Sequence, residues 1–302
     1  MWASMKKTIL ALALLCLAVA AGYVRFNNLD VLSWQNWNLN RQIMPEQALA
    51  LGRYRVDIDG LEVPGVNDDL SALTYNADTN TLFALLNGEA LVIELSLEGK
   101  LLRSIPVVGA GDMEGLTHVT GDRYVLAEER TQRLSLVNIT AATQSLDIRS
   151  APSLVIALDQ PGNKGLEGLS WDDARQRLLV VRERDPMRVL AVTGFVEALP
   201  DEPIELSITE IKSDNSRRLF MSDLSSLAMH APSGHLLLLS DQSHMVVEYD
   251  LEGQPLSLLG LWKGMNGLRE TVKQAEGLAV DNRKRIYVVS EPNLFYRFVP
   301  VD

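Results

Sequence analysis

A short apolar step with a small or acidic pair at its centre recurs five times along the chain. The five steps are Leu70-Ser71-Ala72-Leu73, Met113-Glu114-Gly115-Leu116, Leu166-Glu167-Gly168-Leu169, Leu224-Ser225-Ser226-Leu227 and Ala275-Glu276-Gly277-Leu278. Each step is followed 15 or 16 residues later by a carboxylate or amide, which we call the answering residue of that unit. The answering residues are Asn87, Glu129, Glu183, Asp241 and Glu291. Successive steps lie 43, 53, 58 and 51 residues apart. This period indicates repeated supersecondary units rather than one continuous core.

The apolar runs that precede the answering residues have the length of strands. They are 82–86, 124–127, 178–181, 236–239 and 286–290, which is too short for the helices that their leucine content suggests. Turn-forming residues come before each run, and the segments 97–100 and 251–254 are typical of hairpin turns between a third and a fourth strand. Four strands per unit, repeated radially, predict an all-β protein with a β-propeller fold.

The number of steps favours a propeller of five blades. Six blades stay open as an alternative, because the two longest spacings leave room for a degenerate unit around residues 195–220. The last unit ends after three strands, at 295–298, whereas 53–58 alternates like a strand ahead of the first unit. We therefore expect 53–58 to pair with 295–298 as the missing outer strand and to close the ring.

The first 25 residues are predicted to be a targeting segment. Lys6 and Lys7 precede the uncharged stretch 8–24, which is just long enough to span a membrane as a signal anchor. The positive-inside rule then places the rest of the chain in the periplasm, beyond a bacterial inner membrane. Cleavage after Ala20 and lipidation at Cys16 are the alternatives. Residues 26–50 would be a juxtamembrane connector, and 51–302 the propeller domain.

Composition narrows the range of partners. The net charge of −11 repels nucleic acid and anionic lipid, so nucleic acid is not an expected partner. Cys16 is the only cysteine and lies in the N-terminal segment, which excludes disulfides and thiol chemistry in the folded domain. The expected partners are the inner membrane, through residues 8–24, and a protein or small molecule at the mouth of the propeller.

The repeat predicts where the acidic residues meet. In an antiparallel hairpin the start of the first strand lies beside the end of the second, and the first strand of each propeller blade lines the central channel. One mouth of that channel should therefore hold the candidate metal ligands Glu114, Glu129, Glu167, Glu183, Asp241, Glu276 and Glu291. Three further acids, two residues before their steps, are expected just outside this mouth: Asp69, Asp112 and Asp223.

So many close carboxylates cannot all stay ionised and unpaired. A set of oxygen ligands without convergent histidine or cysteine suits a hard cation, and Ca²⁺ fits better than Mg²⁺ because it accepts irregular coordination. The alternative is that the acids form structural ion pairs with nearby arginines, of which the sequence offers Arg123, Arg130, Arg182 and Arg184.

Three segments resemble a known family. The steps Asp-Leu-Ser-Ala-Leu-Thr-Tyr (69–75), Asp-Met-Glu-Gly-Leu-Thr (112–117) and Gln-Ala-Glu-Gly-Leu-Ala-Val-Asp (274–281), together with the N-terminal anchor, resemble the SdiA-regulated (YjiK/CarP-like) proteins of Gram-negative bacteria. The resemblance covers residues 50–302. It implies a membrane-associated β-propeller of poorly defined biochemistry, related in fold to calcium-dependent phytases, with calcium as an expected ligand.

Three functions are compatible with these observations. The first is a non-enzymatic, membrane-anchored periplasmic propeller that binds Ca²⁺ and acts as a calcium-responsive scaffold. The second is a metal-dependent hydrolase, phosphoesterase-like or lactonase-like, in which Glu129 or Glu183 is the general base. The third is a metal-free interaction propeller. The sequence chooses neither the ligand nor the substrate.

Overall fold

Helices come first in the chain and strands make up the rest. The computed structural model describes residues 2–26, 29–39, 41–42, 44–156, 165–184, 186–198, 205–211 and 219–301. The helices are α1 (Trp2–Phe26) and α2 (Leu29–Leu39). The strands are β1 (Tyr54–Glu62), β2 (Leu70–Asn76), β3 (Thr81–Leu86), β4 (Leu91–Leu95), β5 (Leu101–Val108), β6 (Met113–Thr120), β7 (Arg123–Glu128), β8 (Arg133–Asn138), β9 (Leu146–Asp147), β10 (Ser153–Val155), β11 (Leu166–Asp172), β12 (Arg177–Arg182), β13 (Arg188–Thr193), β14 (Ser207–Glu210), β15 (Ser226–His230), β16 (His235–Ser240), β17 (Met245–Tyr249), β18 (Pro255–Gly260), β19 (Ala275–Val280), β20 (Ile286–Ser290) and β21 (Leu294–Pro300).

These strands form five sheets, each built around one of the five steps. From the inner strand outward the blades are β2-β3-β4-β5, β6-β7-β8-β10, β11-β12-β13-β14, β15-β16-β17-β18 and β19-β20-β21-β1, and β9 pairs in parallel beside β5. The prediction of a five-bladed all-β propeller is confirmed. The suggested sixth unit around residues 195–220 is wrong as far as the described residues show, because β14 there is the outer strand of the third blade; 199–204 and 212–218 lie outside the described residues.

The ring closes through the first and last strands, as predicted. β1 pairs antiparallel with β21, from Tyr54 opposite Pro300 to Glu62 opposite Leu294. Two exposed ion pairs at this edge join Arg297 to Asp57 and Glu98. The fifth blade therefore depends on backbone hydrogen bonds between residues more than 200 positions apart.

The apolar core lies between neighbouring blades. In the described part of the chain, five buried clusters each combine side chains from two adjacent blades, for example Leu239 of β16 with Leu278 of β19. Blades must approach closely near the axis, and glycines permit this. A Cβ at Gly168 would lie 2.9 Å from the backbone nitrogen of Leu227 in the next blade, and one at Gly277 would lie 2.8 Å from the carbonyl carbon of Ala72.

The two helices differ in their surroundings. Met5–Phe26 of helix α1 is exposed and has a mean hydropathy of 2.2, so it is long and apolar enough for a transmembrane or signal segment. Helix α2 instead buries Leu32 and Leu39 among apolar side chains of the third and fourth blades. Residues 26–50 thus include a helix packed on the propeller. The boundaries 1–25, 26–50 and 51–302 stay predictions.

Candidate functional site

All seven predicted site residues line one opening of the central channel. This opening, called here the acidic opening, has a volume of about 220 Å³. Besides Glu114, Glu129, Glu167, Glu183, Asp241, Glu276 and Glu291, it is lined by Arg184, Asp223, Ser225 and Gln242. Every blade except the first contributes a carboxylate, which is how a repeated sequence position becomes a cluster in space.

A β-bulge at the centre of each acidic step turns the glutamate out of the strand ladder. In β6, β11 and β19 the pairing to the next strand shifts by one residue, and the extra residue is the glutamate of the step. The residues concerned are Glu114, Glu167 and Glu276. Bulges are common next to functional sites, where they redirect a side chain. Here they free three carboxylates for the acidic opening.

Backbone hydrogen bonds fix the answering residues beside the steps. In four units the N–H of the answering residue donates to the carbonyl two positions before the centre of the step. The pairs are Asn87 with Asp69 (3.0 Å), Glu129 with Asp112 (2.9 Å), Glu183 with Gly165 (3.4 Å) and Glu291 with Gln274 (3.0 Å). Two of the accepting residues, Asp112 and Gln274, have left-handed backbones (φ 57° and 49°). Such strained geometry is enriched at functional sites.

Several carboxylates of the acidic opening have a hydrogen-bond partner. Asn87 donates to Glu114 at 2.5 Å, and the backbone N–H of Gly165 donates to Glu129 at 3.1 Å. The N–H of Ala275 donates to Asp241 at 3.1 Å, Gln274 donates to Glu291, and Arg184 pairs with Glu183. Glu167 and Glu276, by contrast, have neither a hydrogen bond nor an ion pair among the residues that the structure describes.

Burial and mutual repulsion favour the protonated forms of these acids. Burial, reinforced by Asp112 and Glu129, raises the pKa of Glu114 to about 8. Burial and the charge of Asp241 raise the pKa of Glu276 to about 9. Burial, with Glu114 and Glu129 nearby, raises the pKa of Glu167 well above its ordinary value. The acidic opening therefore holds protons near neutral pH unless a cation replaces them.

The ion-pair alternative accounts for part of the cluster. Arg130 Nε lies 2.8 Å from Asp112 Oδ2, and Arg184 pairs with Glu183. Arg123 instead donates to the carbonyl of Val196. Within the described residues, no ion pair reaches Glu114, Glu167 or Glu276. Arginines thus neutralise the edge of the cluster and leave its centre uncompensated.

Two groups of three carboxylates have the spacing that one cation requires. Asp112, Glu114 and Glu129 place one oxygen each within 4.8 Å of one another, and so do Glu129, Glu167 and Glu183. Oxygens bound to the same Ca²⁺ at 2.3–2.6 Å are at most about 5 Å apart, so both groups fit that ion. Glu129 belongs to both groups and therefore connects them.

Comparison with known proteins is consistent with this fold and these motifs. The family model described as SdiA-regulated matches residues 46–299. The chain belongs to the SdiA-regulated family. The match includes all five blades and every candidate site residue, so the resemblance drawn from the steps is confirmed.

Several solved structures are similar to this chain, and the first one below supports the fold alone. A luciferin-regenerating enzyme matches with 11% identity and a TM-score of 0.50, over 81% of this chain and 95% of that chain. A chain of a nidogen/laminin complex matches with 12% identity and a TM-score of 0.48, over 73% and 72%. The β-propeller domain of Myceliophteria thermophila Cps50 (Swd1) matches with 10% identity and a TM-score of 0.43, over 81% and 68%.

Sequence reasoning misplaced one neighbour of the site. Asp223 was expected just outside the mouth but lines it, held there by Ser240 and by the N–H of Gln242. Asp112 joins Glu114 and Glu129 in a possible ligand group. Their position two residues before a step was the available signal. The hydrogen bonds that hold Asp223 in the lining are not encoded in that spacing.

Proposed function

We propose that the protein is a membrane-anchored propeller that binds a divalent cation, Ca²⁺ in the first instance, at the acidic opening. The observation that carries this proposal is the state of Glu167 and Glu276. Both lie on the opening with no partner among the described residues, and both have a strongly raised pKa. A hard cation would replace the protons and relieve the repulsion, and the all-oxygen surroundings match the ligands that Ca²⁺ prefers.

A binding scaffold is better supported than a hydrolase. A phosphoesterase needs cationic groups to hold its anionic substrate, whereas the described lining of the acidic opening offers Arg184, which already pairs with Glu183. Glu129, the other candidate general base, accepts a hydrogen bond from the N–H of Gly165. We therefore propose that the cation organises the opening for a calcium-dependent partner and that the acidic residues bind rather than catalyse.

Calcium titration of the full-length protein in detergent tests this proposal. Wild type should bind Ca²⁺ by calorimetry, and at a hundredfold excess over Kd the native state should gain about 2.7 kcal/mol, seen as a higher Tm. The triple variant Glu114→Gln, Glu167→Gln, Glu276→Gln should lose most of that gain. A matched control replaces three exposed glutamates elsewhere, Glu62, Glu98 and Glu270, by Gln and should keep it.

The alternatives give different results in the same experiment. If the Tm of wild type changes neither with millimolar Ca²⁺ nor with chelator, the calcium proposal is wrong and the metal-free interaction propeller is the remaining function. If the control triple variant loses the calcium-dependent gain in Tm to the same extent, then that gain depends only on the overall charge of the protein. Calcium-dependent turnover in a panel of phosphate esters and lactones, abolished by Glu129→Gln, would favour the hydrolase.

We further propose that α1 is an uncleaved anchor in the bacterial inner membrane, with the propeller in the periplasm. Lys6 and Lys7 precede the apolar stretch, and the exposed face of α2 carries Trp34 and Trp37, residues enriched at membrane interfaces. Full-length protein should fractionate with inner membranes and resist extraction by high salt. A soluble periplasmic species beginning near Ala21 would establish cleavage instead.

A further inference from the structure

A second cavity lies at the opposite end of the central channel. The inner strands β2, β6, β11, β15 and β19 all begin at the acidic opening, and their far ends line a space of about 280 Å³. Four residues along a strand span about 13 Å, so this cavity is separate from the acidic opening. Its volume is just below the range of typical small-molecule pockets, about 300–1,000 Å³, so it fits only a small ligand.

The repeat places one large side chain per blade around this cavity. Four positions after the centre of each step stand Tyr75, His118, Trp171, Met229 and Val280. The equivalent positions at the other end of the strands carry serine or glutamate. We call this space the aromatic cavity. One structural repeat thus presents acids at one end of the channel and rings, a thioether and an aliphatic side chain at the other.

Hydroxyl groups along the wall are already engaged in joining the blades. Thr74 Oγ1 accepts from the N–H of His118 at 3.1 Å, and Thr117 Oγ1 accepts from the N–H of Trp171 at 3.1 Å. Ser170 Oγ accepts from the N–H of Met229 at 2.9 Å. These hydroxyls therefore contribute to the packing of neighbouring blades, and the remaining wall combines apolar side chains with a few acids and histidines.

The acids of the aromatic cavity are also satisfied within the protein. Asp281 accepts from Arg285 Nε at 2.6 Å and from Tyr287 Oη at 2.9 Å. Asp173 accepts from Gln176 Nε2 at 3.0 Å. Burial lowers the pKa of His118, so that side chain is neutral at pH 7. Asp78, at the exposed rim of the cavity, accepts from the N–H of Gly121 at 3.0 Å, and Asp173 is likewise exposed. The buried part of the described lining therefore lacks the unpartnered carboxylates that mark the acidic opening.

His230, one of the residues that line the aromatic cavity, has a buried polar atom without a partner in the described part of the chain. The residue is 2% exposed, its Nδ1 lies 2.7 Å from Ser233 Oγ, and its Nε2 has no hydrogen-bond partner in the described part of the chain. Burial lowers the pKa of His230 to about 4, so the ring is neutral and Nε2 is a donor or acceptor according to the tautomer. A buried unsatisfied atom beside a cavity points to a ligand or water that completes it.

We propose that the aromatic cavity is a second binding site, for a small uncharged molecule with a planar ring and one hydrogen-bonding group. The ring packs against Trp171 and Met229, and the polar group bonds to Nε2 of His230. Planar rings gain from stacking on tryptophan and from contact with a thioether. The buried part of the described lining holds no carboxylate without a partner, and this selects for a neutral ligand, because an ion would be desolvated there without a counter-ion.

Three probes of nearly equal shape test this site: benzamide, which is neutral, benzamidine, a cation, and benzoate, an anion. Ligand-observed NMR on full-length protein in detergent micelles, with protein-free micelles subtracted, should show saturable benzamide binding with a Kd on the order of 1 mM. Benzoate should bind at least tenfold more weakly. Benzamidine is expected to interact with the acidic opening and should not displace benzamide.

Variants locate the binding. Trp171→Leu removes the ring platform, and Met229→Glu brings a charge to a partly exposed position of the cavity; each should weaken benzamide binding at least tenfold. Trp34→Leu, on the exposed face of α2, and Glu167→Gln, at the acidic opening, should leave it unchanged. Because Trp171→Leu removes buried apolar surface, its Tm must be measured first, and Met229→Glu decides the result if Trp171→Leu does not fold.

The proposal is overturned by any of three results. They are no saturable benzamide binding to wild type, binding that survives Met229→Glu in a folded protein, and benzoate or benzamidine competing with benzamide at equal affinity. None of these results depends on Ca²⁺, so the proposals for the aromatic cavity and for the acidic opening are tested independently.

Discussion

The units with serine at the centre of the step differ instructively from the units with glutamate there. Ser71 and Ser225, both buried, donate through Oγ to carbonyls of the next blade, Met113 at 2.8 Å and Ala275 at 2.7 Å. The glutamates at the equivalent bulges make no such bond to a carbonyl of the next blade in the described structure. One backbone position therefore either joins two blades or presents a carboxylate to the channel.

Equivalent positions of this propeller therefore have different roles: the serines stabilise the contact between blades, and the glutamates are available to bind a ligand in the channel. A buried hydroxyl–carbonyl hydrogen bond stabilises the native state by about 1 kcal/mol. A crowded carboxylate does the reverse, because its charged form is disfavoured in the folded protein. Without a cation, we expect the contacts between blades to be least stable at the glutamate units. These units should also gain the most stability when a cation binds.

The largest expected effect is on the pH dependence of stability in chelator. The raised pKa values of Glu114 and Glu276, about 8 and about 9, mean that the native state holds protons that the unfolded chain releases near its ordinary value of 4.5. The associated stability is complete below that ordinary pKa and is lost as pH rises through the native values. Between pH 5 and 9 the free energy of unfolding should fall by about 2–4 kcal/mol, discounted for partial exposure.

Urea denaturation at several pH values measures this fall. The triple variant Glu114→Gln, Glu167→Gln, Glu276→Gln should show little of it and should exceed wild type in stability at pH 9. A wild-type profile flat from pH 5 to 9 would mean that the carboxylates are ionised and compensated, and the contrast between the two kinds of unit would disappear.

A smaller effect is expected from converting one kind of unit into the other. Glu114→Ser removes a crowded carboxylate and provides a hydroxyl where Ser71 and Ser225 make their bonds, so in chelator at pH 8 it should stabilise the protein by about 1–2 kcal/mol. Glu114→Gln is the matched control, since it removes the charge without that hydroxyl. If both variants gain the same stability, the hydrogen bond from serine to the next blade contributes nothing at this position.

The smallest effect is expected from removing the serine bonds. Ser71→Ala and Ser225→Ala should each destabilise the protein by about 1 kcal/mol, because a buried carbonyl loses its donor. Calcium affinity should change little, as neither hydroxyl is expected to bind the ion. Ser104→Ala, at an exposed position of β5, serves as the control and should change stability by less than about 0.5 kcal/mol.

The large features of the fold could be predicted because the same pattern of strands and turns occurs several times in the sequence. Five steps predict five blades, and the alternating segment 53–58 predicts the closing strand that pairs with 295–298. The convergence of seven carboxylates also follows, since a hairpin places residues 15 or 16 positions apart side by side. These inferences need only the periods of strands and turns.

Other features depend on contacts that a repeat pattern does not contain. The bulges at Glu114, Glu167 and Glu276 arise from the register of two paired strands, which apolar spacing leaves open by one residue. The aromatic cavity was missed because its five positions share no chemical type. The docking of α2 through Leu32 and Leu39 was missed because its Trp34 and Trp37 suggest a membrane surface.

The pairing of β1 with β21 has a consequence for biogenesis. During synthesis Tyr54 emerges long before Pro300, so the first strand waits, with its hydrogen-bonding edge open, for a partner made last. An open edge is a template for pairing with other chains. We expect nonsense products that lack β21 to be removed by proteolysis rather than to accumulate as four-bladed rings.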